Sequence, residues 1–274
     1  MAMTRPPLKL AVAGLGAIGL AVARRVDAGD LPGIALVAAA ARDHDKARSA
    51  TAGFRAAPVL TTLAGLAEVA DVVLECLPAA HFAAVAEPAI AAGRVLMPLS
   101  VGALLDHWGL VARAEETGAR ILVPTGALLG LDAVRAAAEG TISSVRMITR
   151  KPPAGLAGAP LLVKANISVE GLTAPLLVFE GSAREAIAGF PANVNVAVAL
   201  SLAGIGPDRT RVEIWADPAV TRNTHSIVVT SDSSDLTMTI QNLTSVENPR
   251  TGRITALSAL AALRRLTATL VVGT

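Results

Sequence analysis

Residues 8–19 read LKLAVAGLGAIG. A short apolar run enters Gly14-Leu15-Gly16-Ala17-Ile18-Gly19 and continues into an apolar helical stretch. That context gives the G-x-G-x-x-G spacing its meaning. Gly14 permits a tight turn off the strand, Gly16 lets the backbone approach a pyrophosphate, and Gly19 lets the helix pack against the sheet. The helix then opens, at Ala17 and Ile18, with free N–H groups and a positive dipole end suited to phosphates. Among 23 glycines in 274 residues the bare pattern is weak. Its place directly behind an apolar strand is what predicts a dinucleotide-binding turn.

Outward from that turn, apolar strands and helices alternate. Strands are predicted over residues 34–41, 71–76, 95–99 and 120–123, with helices over 81–92 and 104–117. Short apolar strands at helix-length spacing indicate a doubly wound parallel sheet with right-handed crossovers, a Rossmann domain over residues 1–124. The pattern changes near Gly126. Residues 144–151, 176–179, 211–216, 226–230 and 236–241 read as strands, with a turn at 231–235 and helices at 183–188 and 194–202. These predict a second, α+β domain over 125–249 with a mixed or antiparallel sheet. A final apolar helix near 254–270, within a 250–274 segment behind Asn248-Pro249, is expected to pack back on the first domain. The fold class is therefore α/β, with an α+β second domain.

Composition narrows the chemistry. The chain is 53% hydrophobic, yet every long apolar run is broken by glycine, proline or charge, so no membrane partner is expected. Arg5 and Lys9 ahead of an apolar run imitate a secretory leader, but the glycine turn accounts for the same residues, and a cytoplasmic location is expected. Net charge is +2 with 2% aromatic residues, which argues against a nucleic-acid partner. A single cysteine, Cys76, argues against a disulfide framework or a cysteine-based metal site, and no metal is expected. The chain has no tyrosine, which excludes the Tyr-x-x-x-Lys chemistry of short-chain dehydrogenases.

Three clusters could carry a reaction. The tip of the second strand reads Ala41-Arg42-Asp43, where an acidic residue suits the ribose hydroxyls of NAD and an arginine suits the 2′-phosphate of NADP. Asp43 reads equally as a helix cap, so both cofactors stay open. His225, in Asn223-Thr224-His225-Ser226 at a strand entry, is the candidate general acid or base, against the blander reading of a surface-loop histidine. His44 is placed in a charged loop, His81 at a helix start and His107 on an amphipathic helix. Phe190-Pro191-Ala192-Asn193-Val194-Asn195 offers two asparagines, one of which a helix cap explains. Pro124-Thr125-Gly126-Ala127 offers backbone donors behind the last Rossmann strand. Lys151, Lys164 and the arginines are the cations available for an acidic substrate.

These clusters, with SVGAL (100–104), TGALLGLDA (125–133), TRKPP (149–153), FEGSA (179–183), FPANVNVAVALSLAG (190–204), Asn223-x-His225 and Glu247-Asn248-Pro249, resemble the L-aspartate dehydrogenase family over nearly the whole chain. The resemblance implies oxidation of L-aspartate with NAD or NADP to iminosuccinate, and so to oxaloacetate and ammonia. It implies His225 as the catalytic histidine, Ala127 as the nicotinamide-contacting amide, and Asn193, preferred over Asn195, as the nicotinamide asparagine. It also implies a small dicarboxylate amino acid as substrate and a homodimer. Two departures stand out: Ser226 follows the histidine where a glutamate is usual, and the third long strand ends Glu75-Cys76-Leu77-Pro78 instead of in small residues. A sister reductase of another imine or keto acid is the neighbouring alternative, and a non-catalytic redox-sensing binder the more distant one.

Overall fold

The computed structural model describes residues 6–191, 194–243 and 252–273, so Asn193, Asn248 and Pro249 lie outside the described residues. The chain divides into two compact units, residues 1–124 with 255–271, and residues 125–254 with 272–274.

The first unit is built on six strands: β1 (Leu8–Ala13), β2 (Ile34–Ala40), β3 (Val59–Leu60), β4 (Val72–Glu75), β5 (Val95–Pro98) and β6 (Arg120–Ile121). They form one sheet in the order β3-β2-β1-β4-β5-β6, and every pairing is parallel. This is the doubly wound Rossmann order, which reverses between β1 and β4. The helices are α1 (Ala17–Asp27), α2 (His44–Thr51), α3 (Leu66–Val69), α4 (Phe82–Ala91), α5 (Val101–Asp106) and α6 (Gly109–Thr117). Arg24 and Arg25 sit in the last turn of α1, where cations oppose the dipole.

Two expectations change here. The single helix over 104–117 is two helices, broken at His107 and Trp108. The His107 ring packs 5.6 Å from that of Phe82, the His107 backbone N–H donates to the Leu104 carbonyl in a tightened last turn, and Gly109 follows with its poor helix propensity. His44 is not in a loop: Asp43 caps α2 by accepting the Lys46 N–H at 2.9 Å, and His44 is the first helical residue.

The second unit carries β7 (Ile142–Lys151), β8 (Leu176–Ser182), β9 (Thr210–Ala216), β10 (Asn223–Ser231) and β11 (Asp235–Asn242) in the order β11-β10-β7-β9-β8. Only the β7–β9 pairing is parallel, so the sheet is mixed. Its helices are α7 (Leu131–Ala138), α8 (Pro160–Lys164), α9 (Ala183–Gly189) and α10 (Asn195–Ala203). The period of two sends Val145 and Met147, Val212 and Ile214, and Ile227 and Val229 into one core with Val134, Ala186, Phe190, Ala197 and Leu200 from the helices. Arg146, Arg150, Glu213 and Trp215 alternate to the opposite face. There Arg146 pairs with Glu213 at 3.0 Å, and the Arg150 guanidinium lies 4.9 Å from the Trp215 ring centre. Ser182 and Glu185 form a capping box that starts α9.

The last helix, α11 (Arg253–Thr267), buries Ala259, Leu260 and Leu263 in the core formed by Val22, Leu31 and Ile34 of the first unit. The Arg264 guanidinium and the Thr267 hydroxyl donate to the carbonyls of Asp30 and Pro32.

Candidate active site

In the first unit the exits of β1 and β4 lie side by side where strand order reverses, the place where open parallel sheets bind ligands. Gly14 has φ +96°, a left-handed conformation, and a Cβ on it would meet Leu77 Cδ2 at 2.8 Å and the Cys76 carbonyl oxygen at 2.9 Å. A Cβ on Gly19 would sit 1.9 Å from the Gly14 carbonyl oxygen, so strand exit and helix meet at backbone contact. Gly16, the N-cap of α1, differs. Its missing Cβ would touch no protein atom, and packing within the unit gives no reason for a glycine there. The first turn of α1 holds no acidic residue, so the N–H groups of Ala17 and Ile18 keep their positive character. A tight turn, an open backbone face and an uncompensated helix start are the features a dinucleotide pyrophosphate requires, and these residues fit one.

The β2 tip lies against that turn, because the Gly14 N–H donates to the Ala40 carbonyl at 2.8 Å. Asp43 caps α2 through Oδ1, and both Asp43 and Arg42 are exposed. At the end of β4, Glu75 is fully buried. Burial raises its carboxyl above the usual range, opposed by bonds from Ser100 and Leu77. Burial also pushes the Cys76 thiol well up, with the Glu75 charge adding to the effect.

In the second unit His225 is the third residue of β10 and only 3% exposed, so the surface-loop reading does not hold. Strand β10 lies between β7 and β11, and its register sets His225 opposite Thr149 on one side and Ile240 on the other. Thr149 Oγ1 lies 3.0 Å from His225 Nδ1. Lys151, two residues beyond Thr149 on the same face, is also buried. Burial lowers its ammonium to about 8, and burial together with the Lys151 charge lowers His225 to about 3. The imidazole is therefore neutral throughout the physiological range.

Asn242, opposite Asn223 on that same face, is buried and donates its amide to the Ala127 carbonyl at 2.8 Å. This residue was not legible as a site residue. The available signal was an asparagine continuing the inward period of β11 at its end. Ala127 follows Gly126, whose φ is +67°, in a turn closed by the Leu128 N–H to the Thr125 carbonyl. Asn195 is the first residue of α10 and not its cap; Val194 occupies the cap position. Lys164 is exposed at the end of α8, and among the described residues no contact joins it to His225. One sheet face thus gathers Thr149, Lys151, His225 and Asn242, and through Asn242 it holds Ala127. Arg150, on the opposite face, is engaged by Asp217 at 2.9 Å. Among the described residues, no group of three or more His, Cys, Asp or Glu is placed to hold a metal, and no helix is long and apolar enough to cross a membrane.

Residues 132–266 match the family model described as aspartate dehydrogenase, C-terminal, and residues 14–124 match the one described as homoserine dehydrogenase, NAD binding domain. The L-aspartate dehydrogenase of Bradyrhizobium diazoefficiens is 54% identical over 97% of this chain and 94% of its own length. L-aspartate dehydrogenase 3 of Bordetella bronchiseptica is 53% identical over 99% of both chains. Among solved structures, the aspartate dehydrogenase of Thermotoga maritima superposes with a TM-score of 0.73 over 97% of this chain and 99% of its own. At 23% identity that likeness concerns the fold alone. With more than half of its residues shared with such relatives over nearly its full length, the chain belongs to the L-aspartate dehydrogenase family.

Proposed function

We propose that the protein catalyses the NAD(P)-dependent oxidative deamination of L-aspartate to iminosuccinate, which yields oxaloacetate and ammonia, and the reverse reductive amination. The observation that carries this reading is the buried Thr149–His225 pair with Lys151 on the same sheet face, in a chain of this family. In the tautomer whose Nδ1–H donates to the Thr149 hydroxyl, 3.0 Å away, the neutral imidazole presents a lone pair at Nε2. That lone pair takes a proton from the substrate ammonium or, in the hydrolytic step, from the water that attacks the imine, and the ring returns it to the departing ammonia or to solvent. The Lys151 ammonium, in a low-dielectric setting, pairs with a substrate carboxylate.

A nicotinamide cofactor, when bound, would supply the hydride acceptor at its C4. Gly14, Gly16, Ala17, Ile18 and Gly19 would hold the phosphates, and the family resemblance assigns Ala127, whose carbonyl Asn242 holds, and Asn195 or Asn193 to the carboxamide. Exposed Arg42 would receive a 2′-phosphate, and Asp43, which caps its helix through one oxygen, keeps the other for a ribose hydroxyl, so the tip suits NADP and NAD alike. A cytoplasmic homodimer completes the reading on family resemblance alone.

The test is a substrate panel on the purified protein with each cofactor, together with His225→Ala. L-Aspartate is expected to reduce NADP or NAD. The variant should bind NADPH as wild type does while losing roughly a hundredfold or more in turnover. A wild-type protein inert on L-aspartate, or a variant with undiminished turnover, overturns the reading.

A further inference from the structure

Glu75 ends β4 where strand order reverses, and no part of it reaches solvent. Its Oε1 accepts the Leu77 N–H at 2.7 Å, and its Oε2 accepts the Ser100 N–H at 3.0 Å. The Ser100 hydroxyl bridges the same space, 3.1 Å from Glu75 Oε1 and 2.6 Å from the Leu77 carbonyl. One carboxyl group thereby ties the loop leaving β4 to the loop that leaves β5 and opens α5.

The tie continues to the glycine turn. Leu77 Cδ2 and the Cys76 carbonyl close on the space beside Gly14, and the Cys76 N–H donates to the Ala13 carbonyl at 2.9 Å. Apolar packing would fill the end of a buried strand at less desolvation cost, so the carboxyl has to be explained by what it holds. What it holds is two backbone N–H groups from the two loops beside the switch point, the place where such sheets bind their ligand.

We propose that Glu75 is the positioning residue of the dinucleotide site, its two oxygens fixing the 76–78 and 99–101 loops in register so that Leu77 sets the position of the Gly14 turn. This rests on the NAD(P) reading of that turn.

Both oxygens must accept, so glutamine cannot replace the acid. Its amide N–H would face the N–H of either Leu77 or Ser100. Ser100→Ala keeps both backbone bonds and removes only the hydroxyl bridge. The experiment measures NADPH and NADH dissociation constants by fluorescence titration, thermal midpoints, and separate KM values for cofactor and L-aspartate. Glu75→Gln is expected to weaken cofactor binding roughly tenfold or more and to raise the cofactor KM with it, leaving the KM for L-aspartate near wild type. Ser100→Ala should shift the same quantities in the same direction by less. A folded Glu75→Gln protein with wild-type affinity, or equal rises in both KM values, overturns the proposal. Should Glu75→Gln not fold, Ser100→Ala decides: raised dissociation constants at an unchanged thermal midpoint support the role, and unchanged constants overturn it. A wild-type protein that binds neither cofactor removes the NAD(P) reading and the proposal with it. That outcome is distinct from a wild type that binds and variants that bind equally well.

Discussion

Lowering the pH tests the environment of His225 directly. An imidazole with its ordinary value of 6.5 is lowered to about 3 in the folded protein, first by burial and then by Lys151. Between these values the unfolded chain binds a proton that the folded chain does not. Stability contributed by the neutral imidazole is therefore present above about pH 6.5 and is lost as pH falls toward about 3. At pH 5, about 1.5 units below the unfolded value, the loss is on the order of 2 kcal/mol at roughly 1.4 kcal/mol per unit.

The assay is urea unfolding of wild type and His225→Gln at about pH 7.5 and pH 5, with the difference between the two proteins compared at each pH. Carboxylates common to both proteins cancel in that difference. Wild type should lose about 2 kcal/mol more than the variant on acidification, and the His225 ring resonances should show no titration above pH 5. Equal losses in the two proteins, or a ring titrating near its ordinary value, would refute the argument that burial keeps this base neutral. The neutral imidazole is the form able to accept a proton, and a bound dicarboxylate beside the ring would restore the basicity that burial and the Lys151 charge lower.

Three further outcomes follow from named contacts. Gly19→Ala drives a methyl group to 1.9 Å from the Gly14 carbonyl oxygen, so NADPH binding measured by fluorescence should weaken at least tenfold, with a destabilisation of about 1–3 kcal/mol. Lys151→Met should raise the KM for L-aspartate roughly tenfold or more without changing NADPH affinity. It should also abolish the fall in kcat/KM above about pH 8, where the wild-type ammonium loses its proton. Arg42→Ala should weaken NADPH binding by roughly tenfold while sparing NADH, which a pair of fluorescence titrations reads directly.

The Rossmann half was legible because its signals are local. Gly14, Gly16 and Gly19 act on the turn in which they stand, and uninterrupted apolar runs mark strands buried on both faces. The break between α5 and α6 was not legible, because the His107 ring packs on Phe82, a residue distant in the chain. His225 could be singled out as a histidine at a strand entry, but nothing adjacent to it in sequence told a buried base from a surface side chain. That depended on β10 lying between β7 and β11.

Chain chemistry on its own was enough to define the dinucleotide turn, the succession of parallel strands, the change of architecture near Gly126 and the residue types available for reaction. These are properties of neighbouring residues and of period. Pairing Thr149 with His225 across 76 positions, bringing Asn242 to Ala127 across 115, and setting Lys151 on the same face belong to strand register and to the folding of one loop onto another. The lowered pKa of His225 and the buried tie at Glu75 arise the same way. Desolvation and hydrogen bonding depend on which atoms the fold packs around a group, and a one-residue slip in register would turn the same side chains to the opposite face.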